Sequence, residues 1–83
     1  MRNVLTFPVT FNVNVIHDPE DGMWVASCND LYLATEATSF EALVDRVWEV
    51  APDCIESNGF DIDPQALRLN FAFEQTAPAR KVN

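Results

Sequence analysis

Alternating apolar and polar positions mark two strands, one near each end of the chain. In residues 9–16 the apolar side chains Phe11, Val13 and Val15 recur at every second position. The same period runs through residues 67–74, where every second residue is a leucine or a phenylalanine. Side chains two positions apart lie on the same face of a strand. Both stretches are therefore predicted to be strands with one buried face.

Two shorter apolar stretches and a turn signal lie between these strands. Residues 17–22, of sequence HDPEDG, combine Pro and Asp with a final Gly that permits a positive φ, which is typical of a hairpin turn. A second strand is predicted from Met23 to about Cys28, and a short third strand from Leu31 to Thr35. The first three strands are therefore predicted to form an antiparallel meander.

A helix is predicted next, because the apolar period lengthens from two residues to about 3.6. Residues 38–41, of sequence TSFE, fit a capping box in which Thr38 caps the helix and Glu41 reaches back to it. The apolar stripe that follows consists of Phe40, Leu43, Val44, Val47, Ala51 and Ile55. Pro52 removes a backbone hydrogen bond, so we expect a kink or a break into two pieces there. Gly59 is the expected terminating residue.

These elements predict an α+β fold with the order strand-strand-strand-helix-strand. A crossover through the helix can return the fourth strand parallel to the first, which gives the spatial order 3-2-1-4. One kinked or broken helix then covers one face of a four-stranded sheet. Because 83 residues suffice for one core only, we expect a single domain over residues 1–83. Its folded part runs from about 9 to 74, with residues 75–83 as a flexible tail.

The charge of the chain is acidic and unevenly placed. The formal net charge is −8, and all but one of the 13 acidic residues lie between Asp18 and Asp63, where Arg46 is the only basic residue. Nucleic-acid backbones are bound by basic patches, so we expect no direct binding of nucleic acid. A basic protein partner suits this charge better, and acidity that only maintains solubility is the alternative.

Part of this acidity follows the period of the predicted helix. Glu41, Asp45, Glu49 and Asp53 recur at intervals of four, away from the centre of the apolar stripe. Like charges at this spacing oppose helix formation, each pair by roughly 0.2 to 0.5 kcal/mol. A row of charges that costs stability suggests a docking face for a basic partner, and these four residues are the predicted partner-binding site. The alternative is a face that is only solvated.

The cysteines and the N-terminus predict a cytoplasmic protein. Cys28 and Cys54 form no CxxC motif and have no second pair, so a disulfide framework or a zinc site is not indicated and reduced thiols are expected. Polar residues and Pro8 interrupt the N-terminal stretch, which is neither a signal peptide nor a membrane span.

No catalytic constellation is visible along the chain. The single histidine, His17, lies beside Asp18, Glu20 and Asp21, so a metal or acid-base role is an alternative there. A turn with a solvated acidic tip is the favoured interpretation. We therefore expect no enzymatic activity, no cofactor and no metal.

Three motifs together resemble the HicB-like antitoxin superfamily. They are Trp24-Val25-Ala26, Asn29-Asp30-Leu31 and the helix start Thr38-Ser39-Phe40-Glu41-Ala42, and the resemblance covers roughly residues 9 to 74. It is greatest to a short branch that lacks a C-terminal DNA-binding segment, since nothing after Phe73 could form one. The resemblance implies a degenerate ribonuclease-H-like fold and binding to a small basic HicA-type toxin that cleaves messenger RNA.

The chain departs from this family in ways that bear on function. Where the family usually has Pro-Gly-Cys, this chain has Tyr32-Leu33-Ala34. The outward positions that ribonuclease H would fill with metal-binding carboxylates are Asn12, Asn14 and Asn70. Two alternatives to the antitoxin-like function stay open: a structural domain that self-associates into a homo-oligomer through a sheet edge, and a small hydrolase dependent on His17.

Overall fold

Four strands and one helix form from the stretches that the apolar periods mark. The computed structural model describes residues 7–74. Its elements are β1 (Val9–His17), β2 (Trp24–Cys28), β3 (Leu33–Ala37), α1 (Phe40–Ser57) and β4 (Leu67–Phe73), with 3-10 turns at Asn29–Leu31 and Pro64–Ala66. The predicted flexible tail, residues 75–83, lies outside the described residues.

The strands form one mixed sheet in the order β3-β2-β1-β4. β1 pairs antiparallel with β2, where Val15 lies opposite Ala26, and parallel with β4, where Val13 lies opposite Phe71. β2 pairs antiparallel with β3. The predicted α+β class, the element order and the spatial order 3-2-1-4 are confirmed.

The two faces of the sheet differ because side chains alternate along each strand. The inner face packs against α1 and contributes Phe11, Val13, Val15, Ala26, Cys28, Leu33 and Leu67 to the core. The buried stripe of α1 consists of Leu43, Val47, Ala51 and Ile55. On the outer face, Asn70 Nδ2 donates to Asn12 Oδ1 over 3.0 Å, and both side chains are exposed.

The start of α1 differs from the prediction by one residue. Ser39, not Thr38, is the N-cap: its Oγ accepts from the backbone N–H of Ala42 at 3.1 Å, and its carbonyl accepts from Leu43 N–H at 2.9 Å. Glu41 is therefore the second helical residue rather than the third, and the predicted capping box is wrong. Its carboxylate still lies in the first turn, where the helix dipole favours negative charge.

The helix continues through Pro52 as one element of 18 residues, so the predicted alternative of two separate pieces is wrong. Pro52 lies on the exposed side, while its neighbours Ala51 and Ile55 are buried and hold the backbone on the sheet. The predicted end of the helix is confirmed. Gly59 has φ 79°, and its N–H donates to Glu56 O while Phe60 N–H donates to Ile55 O, which is a Schellman motif.

The third strand begins later than predicted. Leu31 belongs to a 3-10 turn, which the N–H of Tyr32 closes by donating to Asn29 O. Tyr32 then takes a left-handed conformation with φ 50° and ψ 39°. This single residue redirects the backbone, so β3 starts at Leu33.

Candidate protein-binding surfaces

The four predicted partner-binding residues share one exposed face of α1, which we call the acidic ridge (Glu41, Asp45, Glu49 and Asp53). All four side chains are exposed, and the buried stripe of the helix lies on the opposite side. Successive members are four residues apart, so they stand one above the other along the helix. The structure therefore brings together the whole set that the sequence predicts.

The acidic ridge has one close counter-charge among the described residues. Arg46 Nη1 lies 3.4 Å from Glu49 Oε1, and both side chains are more than half exposed. An exposed pair of this kind contributes only about 0 to 1 kcal/mol to stability. Four carboxylates and one guanidinium leave the ridge with an excess of negative charge that faces solvent.

A second surface lies beside the helix and is aromatic. Trp24 is its centre, with ring centroids 4.4 Å from His17, 5.5 Å from Phe40 and 5.1 Å from Phe73. Phe40 also contacts Phe71 at 6.5 Å. Phe40 and Phe73 keep 38% and 41% of their surface exposed. This cluster therefore joins the start of α1 to the inner face of β4 without being buried.

A row of apolar side chains on α1 continues from the aromatic cluster along the helix. Phe40, Val44, Trp48 and Pro52 lie in one row at intervals of four residues. At one end of the row Phe40 meets Phe71 of β4; at the other, Pro52 lines a cleft of about 270 Å³ with Phe60 and Leu67. We call this row and the inner face of β4 the α1–β4 groove. Trp48 is the third of the four residues in the row and is 41% exposed.

The groove exists because α1 lies to one side of the sheet. The helix packs mainly on β3 and β2, with its 3-10 neighbour Asn29–Leu31. Asn58, at the C-terminal end of α1, strengthens this placement, since its Nδ2 donates to Leu31 O at 3.1 Å. β4 lies at the far edge of the sheet, and its inner residues Leu69 and Phe71 are only half-buried.

The other candidate residues have structural roles in this fold. Asp18 Oδ1 accepts from Glu20 N–H and Asp21 Oδ1 accepts from Met23 N–H, so two of the carboxylates beside His17 build the hairpin turn. Within residues 7–74, no group of three or more His, Cys, Asp or Glu residues is placed to hold a metal ion. Cys28 is buried and Cys54 is half-buried, and both are free thiols.

Two features of these surfaces could not be read from the residue pattern. Tyr32 has a positive φ, which is uncommon for a residue with a bulky side chain, and it is 85% exposed. Trp48 carries an apolar side chain at the border of the helix stripe, where periodicity alone does not decide its burial. A residue held in a costly conformation with its ring in solvent is a candidate for contact with a partner.

No helix of the described part of the chain has the length and apolar character needed to cross a membrane. The prediction of a cytoplasmic location is not tested by this finding and stays a prediction.

The comparisons with known proteins give a family and a solved structure. A family model described as "Domain of unknown function (DUF1902)" matches residues 10–82. The crystal structure of the hypothetical protein TTHA1013, from the extremely thermophilic bacterium Thermus thermophilus, is similar with a TM-score of 0.73 and 29% sequence identity. The match covers 86% of this chain and 100% of that one. No curated protein matches the sequence significantly.

Proposed function

The chain belongs to the DUF1902 family, and we propose that it is a protein-binding module that docks a small basic protein on its acidic ridge. The observation that carries this proposal is the placement of Glu41, Asp45, Glu49 and Asp53 on one exposed helix face, where Arg46 is the single close counter-charge within residues 7–74. Complementary potentials speed association and suppress wrong partners. A basic partner would relieve the repulsion along the ridge when it binds.

We propose in addition that the partner is a small RNA-cleaving toxin of the HicA type. This narrower proposal is supported by the three motifs that resemble HicB-like antitoxins and by the charge of the ridge. DUF1902 membership does not by itself assign the chain to that superfamily, and fold-level likeness does not fix function. The chain then acts by occupying the toxin, so no catalytic residue of its own is required.

The first test is a comparison of two charge variants in one binding assay. The partner is recovered on the tagged full chain from the native host at low ionic strength and identified by mass spectrometry. The ridge variant carries Glu41→Gln, Asp45→Asn and Glu49→Gln. The control variant carries Glu20→Gln, Asp30→Asn and Glu36→Gln, which remove the same charge from exposed residues outside α1.

The two variants separate docking on the ridge from a general effect of net charge. We expect the ridge variant to lose affinity for the recovered basic protein by about tenfold or more at low salt, and to lose most of its salt dependence. The control variant should bind nearly as tightly as the native chain. Equal affinities of the ridge variant and the native chain across a salt series, or a recovered partner that is acidic, would contradict the proposal.

The alternative function, a self-associating structural domain, is favoured by a different observation, the open edge of β4. That edge differs from the acidic ridge because it carries few charges. The two functions are compatible, since they use different surfaces.

A further inference from the structure

β4 is an edge strand without the features that usually protect an edge. It runs for seven residues, LRLNFAF, with no Lys, no Pro and one charged residue, Arg68. In the described part of the chain it pairs with β1 alone. The other edge strand, β3, has five residues, and Glu36 lies near its end. Long, unprotected edges present unpaired backbone groups to other strands.

The sequence of β4 is self-complementary when it is reversed about Phe71. Arg68 lies three residues before Phe71 and Glu74 lies three residues after it, so the opposite charges are symmetrically placed. Leu69 and Phe73 are likewise symmetric about Phe71 and are both apolar. We propose that two copies of this chain pair their β4 strands antiparallel, with Phe71 opposite Phe71 of the second copy.

The geometry of the sheet restricts which registers are available. A two-fold axis perpendicular to the sheet keeps inner faces together, so each residue must lie opposite one of the same parity. The residue numbers of two opposed residues therefore add to an even number, which is the same for every pair in one register. Neighbouring registers differ by two in this sum. Only the register centred on Phe71 places Arg68 directly opposite Glu74 of the second copy, where opposite charges across strands stabilise the pair.

The pairing buries the part of the inner face that α1 does not reach. Phe71 is half-buried and Phe73 is 41% exposed in the single chain. In the paired sheet Phe73 lies opposite Leu69 of the second copy, and the two Phe71 side chains face each other. The two α1–β4 grooves then meet at the axis as one apolar surface.

Charge also favours β4 over the acidic ridge as the site of self-association. Two copies that met through the ridge would bring like charges together. Along β4 the charges are one guanidinium and, just beyond its end, one carboxylate, and both are exposed. Arg68 Nη1 donates to Gln65 O at 3.2 Å, a bond that leaves its remaining N–H groups for Glu74 of the second copy.

The test uses charge exchange in the full chain, followed by sedimentation equilibrium. Arg68→Glu or Glu74→Arg alone places like charges opposite each other twice in every dimer, so we expect each to weaken dimerisation by about tenfold. The double variant Arg68→Glu/Glu74→Arg restores opposite charges and should dimerise as the native chain does. Arg46→Glu, the same charge change on α1, is the control and should leave dimerisation unchanged.

Mixing the two single variants sharpens the test further. In a heterodimer of the Arg68→Glu and Glu74→Arg chains, one chain carries a carboxylate at both positions 68 and 74, and the other carries a guanidinium at both. The carboxylate introduced at position 68 of the first chain lies opposite the guanidinium introduced at position 74 of the second, which is an attractive pair. The unchanged Glu74 of the first chain lies opposite the unchanged Arg68 of the second, and this pair is also attractive. The mixture should therefore dimerise more tightly than either variant alone.

Three outcomes overturn the proposal. A native chain that is monomeric at all concentrations is the first. A dimer that ignores the single exchanges is the second, because the contact then lies elsewhere. A dimer that neither the double variant nor the mixture restores is the third, because the loss is then not due to the cross-strand charges.

Discussion

The two edge strands of the sheet, β3 and β4, differ in how closely α1 packs on them. β3 leads into α1 through two residues, Thr38 and Ser39, so the helix packs on the strand that it follows. β4 is reached only after the helix has ended, through residues 58–66, and lies at the opposite edge of the sheet. An α-helix is about 10 Å wide, whereas the outer strands of a four-stranded sheet are about 15 Å apart. One helix cannot cover both edges.

This difference divides the molecule into a half that stabilises the fold and a half that offers surface. Around β3 and β2, Leu31, Leu33 and Leu43 are buried. Around β4, the aromatic side chains of the groove are partly exposed, and the outer backbone edge has no partner strand among residues 7–74. We therefore expect the larger share of the stability from the β3 side, and we propose the β4 side and the acidic ridge as protein-binding surfaces.

The largest expected effect compares one apolar residue from each half. Leu43 is fully buried, so Leu43→Ala should lower the free energy of unfolding by about 2 to 5 kcal/mol. Phe73→Ala, in the groove, should cost about 1 kcal/mol or less, because the ring is 41% exposed. Urea denaturation of dilute protein measures both. A loss for Phe73→Ala as large as that for Leu43→Ala would contradict the division.

A smaller effect is expected at the start of α1, where the chain passes from β3 into the helix. Ser39→Ala removes the hydroxyl that caps the helix and should cost about 1 kcal/mol of the free energy of unfolding. Thr38→Ala is the matched control and should be nearly neutral, since Thr38 is exposed and is not the cap. Thermal unfolding measures the stability of both variants. A larger loss of stability for Thr38→Ala than for Ser39→Ala would refute this assignment of the cap.

The smallest effect is expected at Tyr32, at the entrance to β3. Glycine adopts a positive φ without the steric cost of a Cβ, so Tyr32→Gly should raise the free energy of unfolding by up to about 1 kcal/mol. Tyr32→Phe keeps that cost and should be neutral, because the ring is exposed. Destabilisation by the glycine variant in chemical denaturation would show that the ring contributes to the fold rather than to a surface.

Local patterns were sufficient to predict the elements, but not the space between them. The period of two in β1 and β4 and the helix stripe predict the fold, and the spacing of four predicts the acidic ridge, because both depend on neighbours along the chain. Adjacent hydroxyl residues, Thr38 and Ser39, made the cap ambiguous by one position. The conformation of Tyr32 had no glycine to signal it.

The α1–β4 groove was not predicted, for a different physical reason. Its existence depends on which two strands the helix covers, and this is decided by the length of the connections and by packing across the sheet. Trp48 and Phe73 have the same apolar character as core residues. They stay partly exposed because α1 packs mainly on β3 and β2 rather than on β4.

The central claim is that the β4 edge, and not the β3 edge, pairs with another protein chain. Amide hydrogen exchange at low and high protein concentration tests this claim most directly. The account predicts that exchange within residues 67–74 slows as concentration rises, since outward N–H groups of β4 gain partners, while exchange in Leu33–Ala37 stays the same. Exchange in β4 that does not depend on concentration, or slowing confined to β3, would contradict it.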